Sequence, residues 1–215
     1  MNRRDFHLRL GAVGALAATA TSAWPQGAPI DGKDYLRVNP PIAMPPGKVE
    51  VVEFFGYWCP HCNAFEPTLE AWAKKLPADV VFRRVPVSFQ PWQEPYQKLY
   101  YALEALGLVD TMQRRVFAAV HVGHQRLEKD ADIGKWASDN GQDGTKILDA
   151  MKSFSTASKV RQAGQLSAQY HIDGVPTLGI HGRYMTSPGT AGSQERALEV
   201  TDQLVAQIRA SVKKG

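Results

Sequence analysis

The 215-residue chain predicts an α/β fold: one mixed sheet covered by helices, with a block of helices inserted between its two halves. Three observations predict it. A strand–helix–strand pattern occupies residues 49–87. From Glu94 to Tyr170 helical periodicity replaces strand signal. Strand signals then return, followed by one last helical pattern.

From Trp24 to Lys48 six prolines break any long element, which leaves room for one edge strand over Tyr35–Val38. Val49–Phe55 is β-prone throughout and stops at Gly56, so it reads as a buried strand. After Cys59 the apolar residues Phe65, Leu69, Trp72, Ala73 and Leu76 recur at helical spacing. Pro60 suits the first turn of that helix, where a missing N–H costs nothing, whereas Pro67 lies deeper and predicts a kink. Val80–Val87 is the next strand.

Five helices follow, marked in turn by Leu99 and Leu103, by Val116 and Phe117, by Ile133 and Trp136, by Ile147 and Met151, and by Val160 and Ala163. Thr177–Ile180 and Arg183–Met185 read as a hairpin with His181-Gly182 at its turn. Ser193 is placed to cap a final helix carrying Leu198, Leu204, Val205 and Ile208.

The N-terminus reads as a leader. Arg3, Arg4 and Arg9 make a basic start, Leu10–Ala18 is a short apolar stretch, and Thr21-Ser22-Ala23 offers small residues for cleavage. Asn2-Arg3-Arg4-Asp5-Phe6 also resembles a twin-arginine leader. Removing residues 1–23 takes three of the 25 basic and one of the 21 acidic residues, leaving 22 against 20. So even a balance argues against a nucleic-acid footprint. No later stretch is apolar enough to cross a bilayer, so the mature chain is expected to be soluble.

Chemistry concentrates at Cys59-Pro60-His61-Cys62, the only two cysteines of the chain. A bridge closing so short a loop stabilises weakly, and a zinc site would want four ligands where there is no second pair. A redox pair remains. Cys59 follows a strand and opens a helix, where unpaired N–H groups and the helix dipole favour a thiolate, and His61 adds a donor or a positive charge. A stabilised thiolate favours the dithiol form, which makes the disulfide form a stronger oxidant. Cys62, about one turn further on, is the natural resolving thiol.

The segment Glu53-Phe54-Phe55-Gly56-Tyr57-Trp58-Cys59-Pro60-His61-Cys62 resembles the active-site segment of the DsbA family of periplasmic dithiol oxidases, whose usual pair between the cysteines is Pro-His. The resemblance implies a thioredoxin fold with an inserted helical domain. On that reading residues 1–23 are the signal peptide, 24–92 an N-terminal segment with the first part of the thioredoxin domain, 93–169 the helical insertion, and 170–215 the second part of the thioredoxin domain.

The resemblance also assigns further roles. A proline before a strand is ordinarily a trans turn residue. The family instead implies a cis Pro176 beside the cysteines, with the backbone of Val175 free to pair with an extended substrate. Glu53 is either a buried acid that exchanges a proton with Cys62 or a carboxylate facing water. Independently of the resemblance, Trp58, Phe89, Trp92 and Tyr184 are candidates to flank the site with an apolar groove, although ordinary packing accounts better for each taken singly. His121 and His124 have a spacing that could suit a metal, but surface histidines fit better.

The expected activity is oxidation of thiols on newly exported proteins in the periplasm, by a monomer that needs no organic cofactor or metal. The resemblance implies re-oxidation by a membrane quinone-linked partner. Two alternatives stand beside this: a reductase or isomerase of the same fold, and a chaperone-like binding module whose cysteine pair is regulatory.

Overall fold

A computed structural model describes residues 27–45 and 47–212. The leader over residues 1–23 lies outside them. Seven residues with every side chain buried or half-buried, Val49–Phe55, form the longest apolar strand, β2. It pairs in parallel with β3 (Val80–Pro86) and antiparallel with β4 (Thr177–Ile180). Beyond β4 lie β5 (Tyr184–Thr186) and the two-residue edge strand β1 (Leu36–Arg37). The sheet order is β1-β5-β4-β2-β3, one mixed sheet joining both halves of the chain.

Helix α1 (Pro60–Ala73) leaves β2 through a four-residue turn and runs on through Pro67. It packs against the last helix, and Trp72 Nε1 donates to Asp202 Oδ1 at 2.9 Å between them. The middle of the chain holds α2 (Glu94–Ala105), α3 (Val109–His121), α4 (Asp130–Asp139), α5 (Gly144–Lys152) and α6 (Phe154–Gln169). A short 3-10 turn, Pro91–Gln93, leads into α2. After the sheet come the one-turn α7 (Pro188–Ala191) and α8 (Gln194–Val212), with Ser193 Oγ accepting the Arg196 N–H at 3.1 Å as the expected cap.

The hairpin between β4 and β5 turns at His181 and Gly182. Both have positive φ, 48° and 67°, and with Arg183 they form the three-residue loop between the paired Ile180 and Tyr184. The main apolar core is continuous across the chain. Phe54 and Phe55 of the sheet, Leu99 and Phe117 of the helical block, and Trp136 and Ile147 beyond them belong to one buried cluster.

Candidate active site

Where β2 ends, the Cys59 N–H bonds the Gly56 carbonyl at 3.0 Å and closes a turn. A Cβ on Gly56 would sit 2.4 Å from the Trp58 indole nitrogen, so glycine lets that ring fold back over the turn. Cys59 then caps α1 with extended backbone (φ −88°, ψ 117°), and its Sγ accepts the Cys62 N–H at 3.3 Å. Pro60 takes the first helical position, as expected.

Both cysteines are free thiols, Cys59 3% exposed and Cys62 wholly buried. Their surroundings drive them apart. The Cys62 thiol donates to the Cys59 sulfur, and the backbone N–H groups of Cys62 and His61 and the charge of His61 act in the same sense. Against the opposing effect of burial, these bring the Cys59 pKa down to about 6. Burial pushes the Cys62 thiol far up, and Cys59 and Glu53 beside it add to that.

Val175 and Pro176 arrive from the other half of the chain. Their peptide bond is cis, and the Cys59 thiol donates to the Val175 carbonyl at 3.4 Å. His61, Val175, Pro176, Met185 and Thr190 line a groove of about 360 Å³. Cys59 and the residues expected to dock substrate therefore lie side by side, with Cys62 buried behind.

Glu53 is fully buried, so its carboxyl does not face water. Its Oε2 accepts from Arg84 Nε at 3.1 Å, while Oε1 has no partner among the described residues. Burial, opposed by the Arg84 charge and reinforced by Glu66, pushes Glu53 up to about 8. Arg84 also donates to Glu66 Oε1 at 2.7 Å. Gln113 Nε2 donates to Glu66 Oε2 at 3.4 Å, and the Tyr57 hydroxyl donates to Gln113 Oε1 at 2.5 Å. One half-buried cation thus serves two buried carboxylates, so the group favours holding one proton. Arg84, Glu66 and Gln113 were not singled out in the sequence. A charged residue in the middle of a strand and a carboxylate one face away on α1 were the available signals.

Among the aromatic candidates, Trp58 packs edge-on against Phe89 and Trp92, each with ring centroids 6.0 Å away. Phe89 and Trp92 remain 40% and 46% exposed, which leaves an apolar rim beside Cys59. Tyr184 does not belong to it. It packs with Tyr35, Val49 and Ile180, at the far end of β2 from the cysteines. Its position past the hairpin turn puts it there, and alternation along the chain could not have shown this. His121 directs Nε2 at the Tyr57 carbonyl, 2.8 Å away, rather than at His124.

This fold and this site define a dithiol–disulfide oxidoreductase of the thioredoxin type. Comparison with known proteins carries the assignment further. Residues 84–195 match the DSBA-like thioredoxin domain family, and residues 42–95 match the thioredoxin family. A thiol:disulfide interchange protein DsbA of Bordetella parapertussis is 45% identical over 206 residues, 94% of this chain and 96% of its own. That of Burkholderia cepacia is 41% identical over 196 residues, 90% and 92% of the two chains. The crystal structure of Pseudomonas aeruginosa DsbA is 36% identical and superposes with a TM-score of 0.82, covering 86% of this chain and 96% of that one. The chain belongs to the DsbA family, and it is a thiol:disulfide oxidoreductase. Among the described residues no helix is long and apolar enough to cross a membrane.

Proposed function

We propose that this protein oxidises thiols of newly exported proteins in the periplasm, with Cys59 as the attacked sulfur. The observation that carries the proposal is the Cys59 sulfur at the N-terminus of α1, hydrogen-bonded by Cys62 and titrating near 6. A thiolate so stabilised is a good leaving group and a poor reductant, the property a disulfide donor needs.

In the proposed cycle a substrate thiolate attacks Cys59 of the Cys59–Cys62 disulfide. Cys62 leaves as a thiolate and takes a proton from Glu53, whose carboxyl holds one up to about pH 8. A second substrate thiolate attacks the substrate sulfur of the mixed disulfide and expels Cys59 as a thiolate. The substrate pair loses two electrons and the enzyme pair gains them, ending in a dithiol. His61 keeps the Cys59 thiolate stable, and Pro60 sets the first turn of α1. The backbone of Val175 pairs with the extended substrate, and Pro176 holds that backbone against Cys59.

Re-oxidation falls to a membrane quinone-linked partner, and the working unit is a monomer without metal or organic cofactor. Residues 1–23 serve as the export signal, possessing a twin-arginine pair at Arg3 and Arg4. Residues 24–92 and 170–215 make up the thioredoxin frame around the insertion at 93–169.

The test is the reduction potential against glutathione, with thiolate absorbance followed against pH. The oxidase reading expects a strongly oxidising couple and a Cys59 titration near 6. His61→Ala should raise that titration and make the couple more reducing. A Cys59 that titrates like a free thiol, about 8.5, overturns the reading in favour of a reductase.

A further inference from the structure

The helical insertion does more than cover the sheet. Gln113, Phe117 and His121 are spaced by four residues along α3 and so share one face of it. All three grip a single residue, Tyr57. The Tyr57 hydroxyl donates to Gln113 Oε1 at 2.5 Å. The Tyr57 ring meets Phe117 edge-on at 5.1 Å between centroids. The Tyr57 carbonyl accepts from His121 Nε2 at 2.8 Å, and with a carbonyl as acceptor that nitrogen must carry the hydrogen. Tyr57 is held at its hydroxyl, its ring and its backbone by three successive turns of one helix.

Tyr57 sits inside the turn closed by the Cys59 N–H on the Gly56 carbonyl, two residues ahead of the redox cysteine. Its carbonyl cannot swing without dragging Trp58 and the helix cap. The hydrogen bond from the Cys62 N–H to the Cys59 sulfur depends on that cap. We propose that the Gln113–Phe117–His121 face of α3 is a positioning device for the redox site. It acts through Tyr57 to hold Cys59 over the start of α1, so that the insertion sets the oxidising strength of the pair.

The proposal rests on the reading of Cys59 as the attacked cysteine. It adds His121, Gln113 and Tyr57 as positioning residues. None of them touches the reacting sulfur atoms.

Three single variants of the full protein test it: His121→Ala, His121→Gln and Tyr57→Phe. Each is measured by thiolate absorbance against pH and by its equilibrium with glutathione. Loss of this half-buried hydrogen bond should shift the equilibrium constant roughly 3- to 10-fold toward the enzyme disulfide in His121→Ala, with the Cys59 titration moving up. Glutamine offers a side-chain N–H of similar reach, so His121→Gln should recover most of the shift. Tyr57→Phe should move both readouts in the same direction as His121→Ala. If His121→Ala and Tyr57→Phe keep the parent titration and equilibrium constant, the proposal is overturned, even when their melting temperatures fall. Should His121→Ala not fold, an unshifted Tyr57→Phe overturns it alone. The parent titration near 6 tests the oxidase reading, whereas only the differences between variants test the clamp.

Discussion

Cys59 and Cys62 are three residues apart and start from the same ordinary thiol pKa, yet the fold sends one down to about 6 and the other far up. The downward half was legible in the sequence, because a cysteine opening a helix after a strand meets free N–H groups. The largest contribution was not: the Cys62 thiol itself donates to Cys59. Glu53 shows the same division. Its place in an apolar strand suggested burial, but the sharing of Arg84 with Glu66 requires β2, β3 and α1 to be assembled. A consequence can be measured at this scale. The folded pKa of Glu53 is raised, so its ionisation destabilises the fold. Stability from this group is full below its unfolded value of about 4.5 and is lost as pH rises through about 8. Glu53→Gln should therefore flatten the pH dependence of stability over that window, seen best in the oxidised protein, where the thiols do not titrate. The same variant should slow substrate oxidation near neutral pH by up to roughly 100-fold, because the leaving Cys62 loses its proton donor. Stopped-flow fluorescence and denaturant titrations at several pH values read the two effects, and an unchanged pH profile would contradict the buried-acid account.

At the scale of elements, nearly every strand and helix was foreseeable from periodicity, with ends displaced by a residue or two. The hairpin strand begins at Tyr184 rather than Arg183 because the turn extends through Arg183, whose N–H bonds the Ile180 carbonyl at 3.0 Å. The one-turn helix at Pro188–Ala191 and the 3-10 turn before α2 carry too few residues for a period to register. The hairpin also separates two kinds of glycine constraint. Gly182 has φ 67° and its Cβ would fall 2.4 Å from the Ile42 backbone oxygen, whereas Gly141 has φ 76° with open space around it. Gly141→Ala should cost only the conformational strain, about 1–2 kcal/mol. Gly182→Ala must also displace the Ile42 backbone and should cost clearly more, roughly 1–3 kcal/mol beyond that strain. Denaturant midpoints of the two variants give the comparison, and equal losses would mean that the Ile42 segment yields freely.

For the whole molecule, the redox state and the stability of the fold are linked. In the dithiol form Cys59 has a lowered pKa, so its ionisation stabilises the folded state. That gain is present above the unfolded thiol value, falls as pH drops, and is gone below about 6. The disulfide form has no such group, and its four-residue loop returns little entropy. The dithiol protein is therefore expected to be the more stable form at neutral pH, with its advantage growing as pH rises from about 6 toward 8.5. Thermal melts of both forms across that range decide it. A disulfide form more stable at every pH would be incompatible with a strong oxidant.

By itself the sequence determined the class of fold, the redox pair with its strand–turn–helix setting, and the family, because these depend on local order: periodicity, caps, and a contiguous active-site segment. Only the tertiary structure decided what surrounds that segment. Residues far apart in the chain converge on it: Val175 meets Cys59 across 116 positions, and His121 meets Tyr57 across 64. Arg84 stands between two carboxylates, and Tyr184 is carried to the far end of the sheet. The reason is physical. A local pattern specifies which face of an element is apolar, but a hydrogen bond or a shared charge between elements exists only once the sheet order and helix packing have brought their side chains within about 3 Å.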